Sequence, residues 1–235
     1  MQIQTIATGS TGNAYFVEIA GHNILLDCGI TLDALQKWCW EHNKRVMHID
    51  AVLLTHEHQD HGKSAQNLLD CGLRLYASDG TAQALNLHSG GLEICKSLKP
   101  CKFESLQILP FDTVHDSAEP LGFVISVFNE NLLYVTDTAY IKYRFNNLTH
   151  MIVECNHVVN RLAENVANGV INEFLAKRVV TNHLSLETLT AWLTRCDKGM
   201  LQEIYLCHLS NDNSDADFIK QEIQKIVGVP TYICY

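Results

Sequence analysis

Residues 50–61 read Asp50-Ala51-Val52-Leu53-Leu54-Thr55-His56-Glu57-His58-Gln59-Asp60-His61. The short apolar run reads as a buried strand feeding a polar loop. His56 and His58 stand two apart, so an extended loop aims both the same way, whereas Asp60 and His61 are adjacent and diverge. One pair can hold one ion, and the other pair a second ion close by. Imidazole and carboxylate are the ligands expected for zinc, with iron or manganese as alternatives. A merely solvated loop has no need of so many ligand-type side chains in a row.

The surrounding composition agrees with a metal. The chain has 235 residues, 47% hydrophobic and 18% charged, which is ample apolar material for a core and excludes a disordered chain. No apolar run reaches the roughly 20 residues that span a bilayer. The amino-terminal stretch lacks the basic start and apolar run of a secretory signal. The 9 cysteines are scattered and odd in number, as expected of free thiols in a reducing cytoplasm. With 17 Lys and Arg against 26 Asp and Glu, the net charge is −9, so charge alone will not coat nucleic acid. A phosphate-ester substrate would have to meet positive charge from another source, and the 12 histidines point to metal. No low-complexity stretch or linker interrupts the chain, so residues 1–235 read as one domain.

Outward from the histidine loop, strands are expected at 2–7, 14–19 and 24–27, and then at 106–109, 122–128, 131–136, 151–154, 203–206 and 230–234. Asn129-Glu130 suits a hairpin between two of them. Helices are expected at 32–42 with Thr31 as cap, and at 62–71, 79–88, 160–176, 185–195 and 214–227. The last has Ser214 and Asp217 as a capping box and Gly228 past its end. Sheets covered by helices follow from this order. Ser185 would start a helix with Leu186, Leu189 and Leu193 on its buried side. That places His183 beside a helix N-terminus, where it could meet a phosphoryl oxygen or protonate a leaving alkoxide.

His56-Glu57-His58-Gln59-Asp60-His61 resembles the His-x-His-x-Asp-His signature of the metallo-β-lactamase superfamily of metallohydrolases. The resemblance implies an α/β, four-layer αββα sandwich with the metal site at one edge of two packed sheets. It also implies further ligands. His115 matches the third ligand of the first ion, after His56 and His58. His208, in Leu206-Cys207-His208-Leu209-Ser210, matches the last ligand of the second ion, beside Asp60 and His61. Asp137, in Leu133-Tyr134-Val135-Thr136-Asp137, matches the carboxylate that bridges the two. Asp27, in Leu25-Leu26-Asp27-Cys28-Gly29, matches an aspartate that hydrogen-bonds the ligand loop in this family, and orienting ligands matters in any metal site.

The tandem His-Leu-Ser units at 183–185 and 208–210 look like the paired motifs of the ribonuclease Z and YycJ/WalJ-like branches. There the earlier histidine serves catalysis and the later one binds metal, so His183 and the ligand Asp60 are the catalytic candidates. Glu154 matches the glutamate that orients the catalytic histidine. Gly9-Ser10-Thr11-Gly12-Asn13 resembles a turn of the YycJ/WalJ-like branch, and makes Ser10, Gly12 and Asn13 candidate substrate contacts, although a plain turn accounts for them equally. The resemblance implies a binuclear phosphodiesterase, with Zn2+ first and Mn2+ or Fe as alternatives, and the cysteine usage places it in the cytoplasm. A metal-bridging hydroxide would attack phosphorus, with single-stranded or end-exposed DNA as substrate, degraded as an exonuclease. A cyclic nucleotide or other small phosphodiester is the main alternative, because the acidic balance gives little hold on a long polyanion. A thioester or lactone hydrolase of the same fold, and a metal-stabilised binding module, are further alternatives. An aspartate at 137 speaks against β-lactam cleavage. No membrane partner is expected, and a homodimer remains open.

Overall fold

The computed structural model describes residues 1–235. Their backbone divides into two compact units, Met1–Asp112 with Ser117–Glu130 and Tyr235, and Thr113–Asp116 with Asn131–Cys234.

In the first unit, Ala51–Leu53 forms the expected strand, β4. It is wholly buried, which is why its sequence is continuously apolar instead of alternating. Before it come β1 (Gln2–Ala7), β2 (Ala14–Ile19), β3 (His22–Leu26) and helix α1 (Leu32–Glu41). After it come helices α2 (Gln59–Gly62) and α3 (Ala65–Asp70), strand β5 (Leu75–Ser78), helix α4 (Asp79–Ala84) and strand β6 (Leu92–Cys95). These strands make one sheet in the order β1 to β6. The first three are antiparallel and the last four parallel, with Leu26 opposite Leu53. Phe16, Leu25, Leu35, Val52, Leu68 and Leu75 fill one face. Each such side chain contributes about 1.5–3 kcal/mol through burial. Thr31 caps α1 by accepting from the Ala34 N–H at 3.2 Å. The unit also holds β7 (Cys101–Phe103), β8 (Leu106–Asp112) and β9 (Leu121–Val127), an antiparallel run.

The second unit is built on four parallel strands, β10 (Glu130–Val135), β11 (His150–Glu154), β12 (Glu203–Cys207) and β13 (Thr231–Ile233). Parallel neighbours need crossovers, and α5 (Val159–Ala167), α6 (Glu173–Asn182), α7 (Leu186–Thr194) and α8 (Ala216–Val227) belong to these connections. The register aligns strand ends, with Glu154 opposite Cys207 and Val135 opposite Val153. Asp137, Glu154 and His208 therefore leave the sheet at one edge, the carboxyl ends where open α/β sheets bind ligands.

Four expectations shift. The helix expected at 160–176 is two helices: Gly169 turns left-handed (φ 69°) after α5, and Asn172 caps α6 through the Leu175 N–H. The helix expected at 62–71 breaks at Ser64, whose N–H and hydroxyl both turn to the Cys28 carbonyl. Asp215, not a Ser214–Asp217 box, caps α8 by accepting from Phe218 N–H, and Gly228 ends it in the left-handed conformation. The strands β5, β6 and β7 are too short and mixed in pattern to announce themselves. No helix is long and apolar enough to cross a membrane.

Candidate functional site

In the first unit the histidine loop is held from beneath by Asp27, which is fully buried. Its carboxylate accepts from the Thr55 N–H (2.8 Å), the Thr55 hydroxyl (3.0 Å) and His61 Nδ1 (2.7 Å). Because the Nδ1–H of His61 donates to Asp27, the ring carries its lone pair on Nε2. The Thr55 hydroxyl donates to Asp27 and accepts from His56 Nδ1 at 3.0 Å, which fixes the same tautomer in His56. His56 Nε2 then faces His58 Nδ1 at 3.1 Å. Two imidazole nitrogens at that separation share either a proton or a cation. Thr55 and its neighbour Glu57, whose carboxylate accepts from the Ala118 N–H, were not singled out from sequence although both lie inside the motif.

The turn at residues 9–13 supports the same loop. Asn13 is fully buried, and its Nδ2 lies 3.0 Å from the Gly9 carbonyl, 3.2 Å from the Asp60 carbonyl and 3.1 Å from His61 Nε2. Its backbone N–H donates to the Asp60 carbonyl at 2.7 Å. Asn13 thus positions the ligand loop, while Ser10 lies exposed on the turn. Close packing here demands glycine. A Cβ on Gly29 would stand 1.7 Å from the Asp60 carbonyl oxygen, and one on Gly12 would stand 2.8 Å from the Gly29 oxygen. Since the obstacle at Gly29 is backbone, Gly29→Ala must displace Asp60 and His61. We expect it to cost at least about 3 kcal/mol and to lower the melting temperature by about 6–12 °C in a thermal melt, with a matching loss of bound metal. An unchanged melt would contradict this packing.

In the second unit Glu154 organises the strand ends. It is fully buried. Its Oε1 accepts from His183 Nδ1 (2.7 Å) and His208 Nδ1 (3.0 Å), and its Oε2 from the backbone N–H of Leu184 (3.0 Å) and Thr138 (3.2 Å). Burial alone would raise its pKa, but the His183 charge and these hydrogen bonds outweigh that and hold it below the usual range. Burial would likewise lower His183, but Glu154 outweighs it and holds the imidazole above its ordinary value. His208 directs its Nδ1 proton at Glu154, which leaves the lone pair on Nε2. His115 directs Nδ1 at the Asn182 carbonyl (3.2 Å) and Nε2 toward Asp137 (3.4 Å). Donor atoms of Asp137, Glu154, His183 and His208 lie within 4.8 Å of one another.

His183 ends α6 and stands two residues before Ser185, which caps α7 by accepting from the Thr188 N–H at 3.1 Å. Asn156, not singled out from sequence, donates to the His208 carbonyl at 2.9 Å and secures the loop after β12. His157 is buried and its pKa is lowered by burial; its backbone pairs with Ser185, and it joins none of the metal-capable groups. All 9 cysteines are free, and Cys28, Cys155 and Cys207 are buried core residues.

Asp27, Asp137 and His208 share a backbone feature. Each has a left-handed φ, at 58°, 48° and 54°. Such conformations cost a non-glycine residue about 1–3 kcal/mol and persist only where the surroundings enforce them. Each stands within two residues of a strand's carboxyl end.

The donor chemistry fits a metal in both units. A metal-bound imidazole characteristically gives its other N–H to a carboxylate or carbonyl. His61, His115 and His208 do so, to Asp27, the Asn182 carbonyl and Glu154. Residues 22–201 match the model of the β-lactamase superfamily domain, and the chain belongs to that family of metallo-β-lactamase-fold hydrolases. It is 28% identical over 223 residues to exodeoxyribonuclease WalJ of Streptococcus pneumoniae serotype 2, covering 89% of this chain and 81% of the relative. It is 25% identical over 239 residues to exodeoxyribonuclease YycJ of Bacillus anthracis, covering 97% and 89%. Among solved structures it resembles the metallo-β-lactamase fold protein YhfI of Bacillus subtilis, with a TM-score of 0.74 at 17% identity over 98% of this chain and 95% of the other. That likeness is one of fold: the αββα class, two β-sheets flanked by helices.

Proposed function

We propose that residues 1–235 act as one hydrolase domain, a metal-dependent phosphodiesterase that degrades DNA as an exonuclease. In this reading His56, His58 and His115 would hold one divalent ion and Asp60, His61 and His208 a second, with Asp137 as the ligand they would share. Zn2+ is the first choice, with Mn2+ or Fe as alternatives. The bound metals would supply positive charge for the phosphoryl oxygens and an activated water. The chain itself does the rest. Asp27, Thr55 and Asn13 orient the ligand loop. His183 holds a proton and passes it from Nε2 to the departing oxygen. Glu154 fixes both the ring carrying that proton and the ring of the ligand His208.

The observation that carries this reading is the single buried carboxylate shared by His183 and His208. It couples a proton donor to a metal ligand, and a poor leaving group such as a nucleotide oxygen needs both. The naming of two relatives as exodeoxyribonucleases supports DNA as the substrate. The net charge of −9 favours, as a second reading, a small phosphodiester that the site alone can hold, such as a cyclic nucleotide. The deciding assay offers labelled DNA, RNA and a panel of cyclic nucleotides to the same protein with Zn2+ or Mn2+. Hydrolysis of DNA is expected; rapid cyclic-nucleotide turnover with inert DNA selects the second reading. Elemental analysis of reconstituted protein should find about two ions per chain, and a value near zero would sink both.

A further inference from the structure

The segment after Asp137 and one face of α7 enclose a cavity of about 570 Å³, lined by Tyr140, Lys142, Arg144, Trp192 and Arg195 among others. That volume lies in the range of small-molecule sites. Its composition stands apart from the chain. Three cations face a single carboxylate, Glu187, in a protein whose net charge is −9. Arg144 and Arg195 both line this cavity. Both side chains are exposed, which leaves their guanidinium forks within reach of an incoming anion. Tyr140 leaves an exposed ring at the rim.

The cavity is also built, not a fold of loose loop. The Trp192 indole N–H donates to the Tyr143 carbonyl at 2.8 Å, and the Thr138 hydroxyl to the Tyr140 carbonyl at 2.9 Å, so both ends of the segment are tied down. Arg195 anchors its Nε on the Ala191 carbonyl at 2.9 Å, leaving the outer edge of its guanidinium for a ligand. Glu187 and Thr188 bring the cavity to the first turn of α7, just past His183. From there to Arg195 the helix rises about 12 Å, long enough for more than one phosphate of a single strand. By contrast, the cavity beside α5 and α8 sets Glu164, Glu187, Asp215 and Glu222 against a single cation, Arg161, which is itself paired with Asp215.

We infer that this cavity is a single-strand subsite, in which Arg144 and Arg195 clamp successive phosphates of a polynucleotide and Tyr140 stacks on a base. Arginine forks suit phosphate, and aromatic platforms hold bases without regard to sequence. The subsite rests on the phosphodiesterase reading and deepens it. It locates the grip on a polyanion that the overall charge does not provide.

The test compares the intact chain with Arg144→Ala/Arg195→Ala and with Tyr140→Ala. Anisotropy of a labelled phosphorothioate oligothymidylate, measured on the metal-loaded protein, reads binding apart from turnover. The double variant should bind at least about 10-fold more weakly, and the slope of log Kd against log salt should fall by about 1.4 for two lost phosphate contacts. Tyr140→Ala should weaken binding by about 5-fold or more with the salt slope intact. On DNA the double variant should raise KM and spare kcat, while bis-p-nitrophenyl phosphate should be hydrolysed at the original rate. Unchanged affinity and salt slope, or an intact chain that binds no oligothymidylate, would overturn the subsite. An intact chain that hydrolyses neither DNA nor the aryl diester would instead overturn the phosphodiesterase reading.

Discussion

His183→Ala is expected to lower kcat on DNA by about 10²–10⁴-fold, the ordinary contribution of a placed general acid, while bound metal stays at its original stoichiometry. The reasoning starts from geometry. Glu154 accepts from the Nδ1–H of His183, so the acid function falls to Nε2, and although burial would lower the ring's pKa, the same carboxylate outweighs it and raises it. The other imidazoles near it are differently engaged: His208 has its Nδ1 on the same carboxylate and His115 turns its Nδ1 to the Asn182 carbonyl, both as proposed ligands, and burial lowers the pKa of His157. The size of the loss should depend on the leaving group. A nucleotide oxygen leaves poorly without a proton, whereas a nitrophenolate leaves readily, so the variant's deficit on bis-p-nitrophenyl phosphate should be much smaller than on DNA. An equal deficit on both substrates, or a loss of metal, would mean that His183 ligates or packs instead of donating. Full activity on DNA would remove it from the mechanism.

The sequence could announce His56, His58, Asp60 and His61 because their spacing is local and so dense a run of ligand-type side chains serves little chemistry besides metal binding. It could place the strand before them because a buried strand is apolar throughout. The strands ending near Asp137 and Glu154, and the helix after Ser185, were legible for the same reason: each has its own apolar pattern and cap. What stayed hidden depends on tertiary neighbours. No pattern shows that Asn13 would be buried against Asp60 and His61, since a turn of small residues looks the same whether it meets substrate or supports a loop. Thr55 looked like the last residue of a strand, and only the position of Asp27 reveals that its hydroxyl relays one carboxylate to one imidazole. The breaks at Ser64 and Gly169 escaped because the helical pattern continues across both, and the competing partner, the Cys28 carbonyl for Ser64, is remote in sequence. Left-handed residues at three strand ends are invisible to periodicity for a related reason: alternation predicts where a strand lies, not how the chain leaves it.

Glu154→Gln, usually a mild exchange, should be severe. Four donors converge on this carboxylate, two on each oxygen: His183 and His208 on Oε1, and the Thr138 and Leu184 N–H groups on Oε2. A glutamine amide has one oxygen and one NH2. Turned one way, its NH2 faces two imidazole N–H groups; turned the other, it faces two backbone N–H groups. No orientation satisfies more than one pair, and each buried donor left without an acceptor costs about 1–3 kcal/mol. The exchange should therefore destabilise the protein by about 2–6 kcal/mol and lower its melting temperature by about 4–24 °C. The imidazoles can relieve the clash by changing tautomer, whereas the backbone donors cannot. The amide oxygen should accordingly stay on Thr138 and Leu184, and the disturbance should fall on His183 and His208. That direction separates positioning from simple packing. Glu154→Gln should lose both turnover and metal affinity, Glu154→Asp should recover part of each, and His183→Ala should lose turnover alone. If Glu154→Gln melts normally and holds metal with its original affinity, the convergence of four donors on one buried carboxylate is not what organises these strand ends.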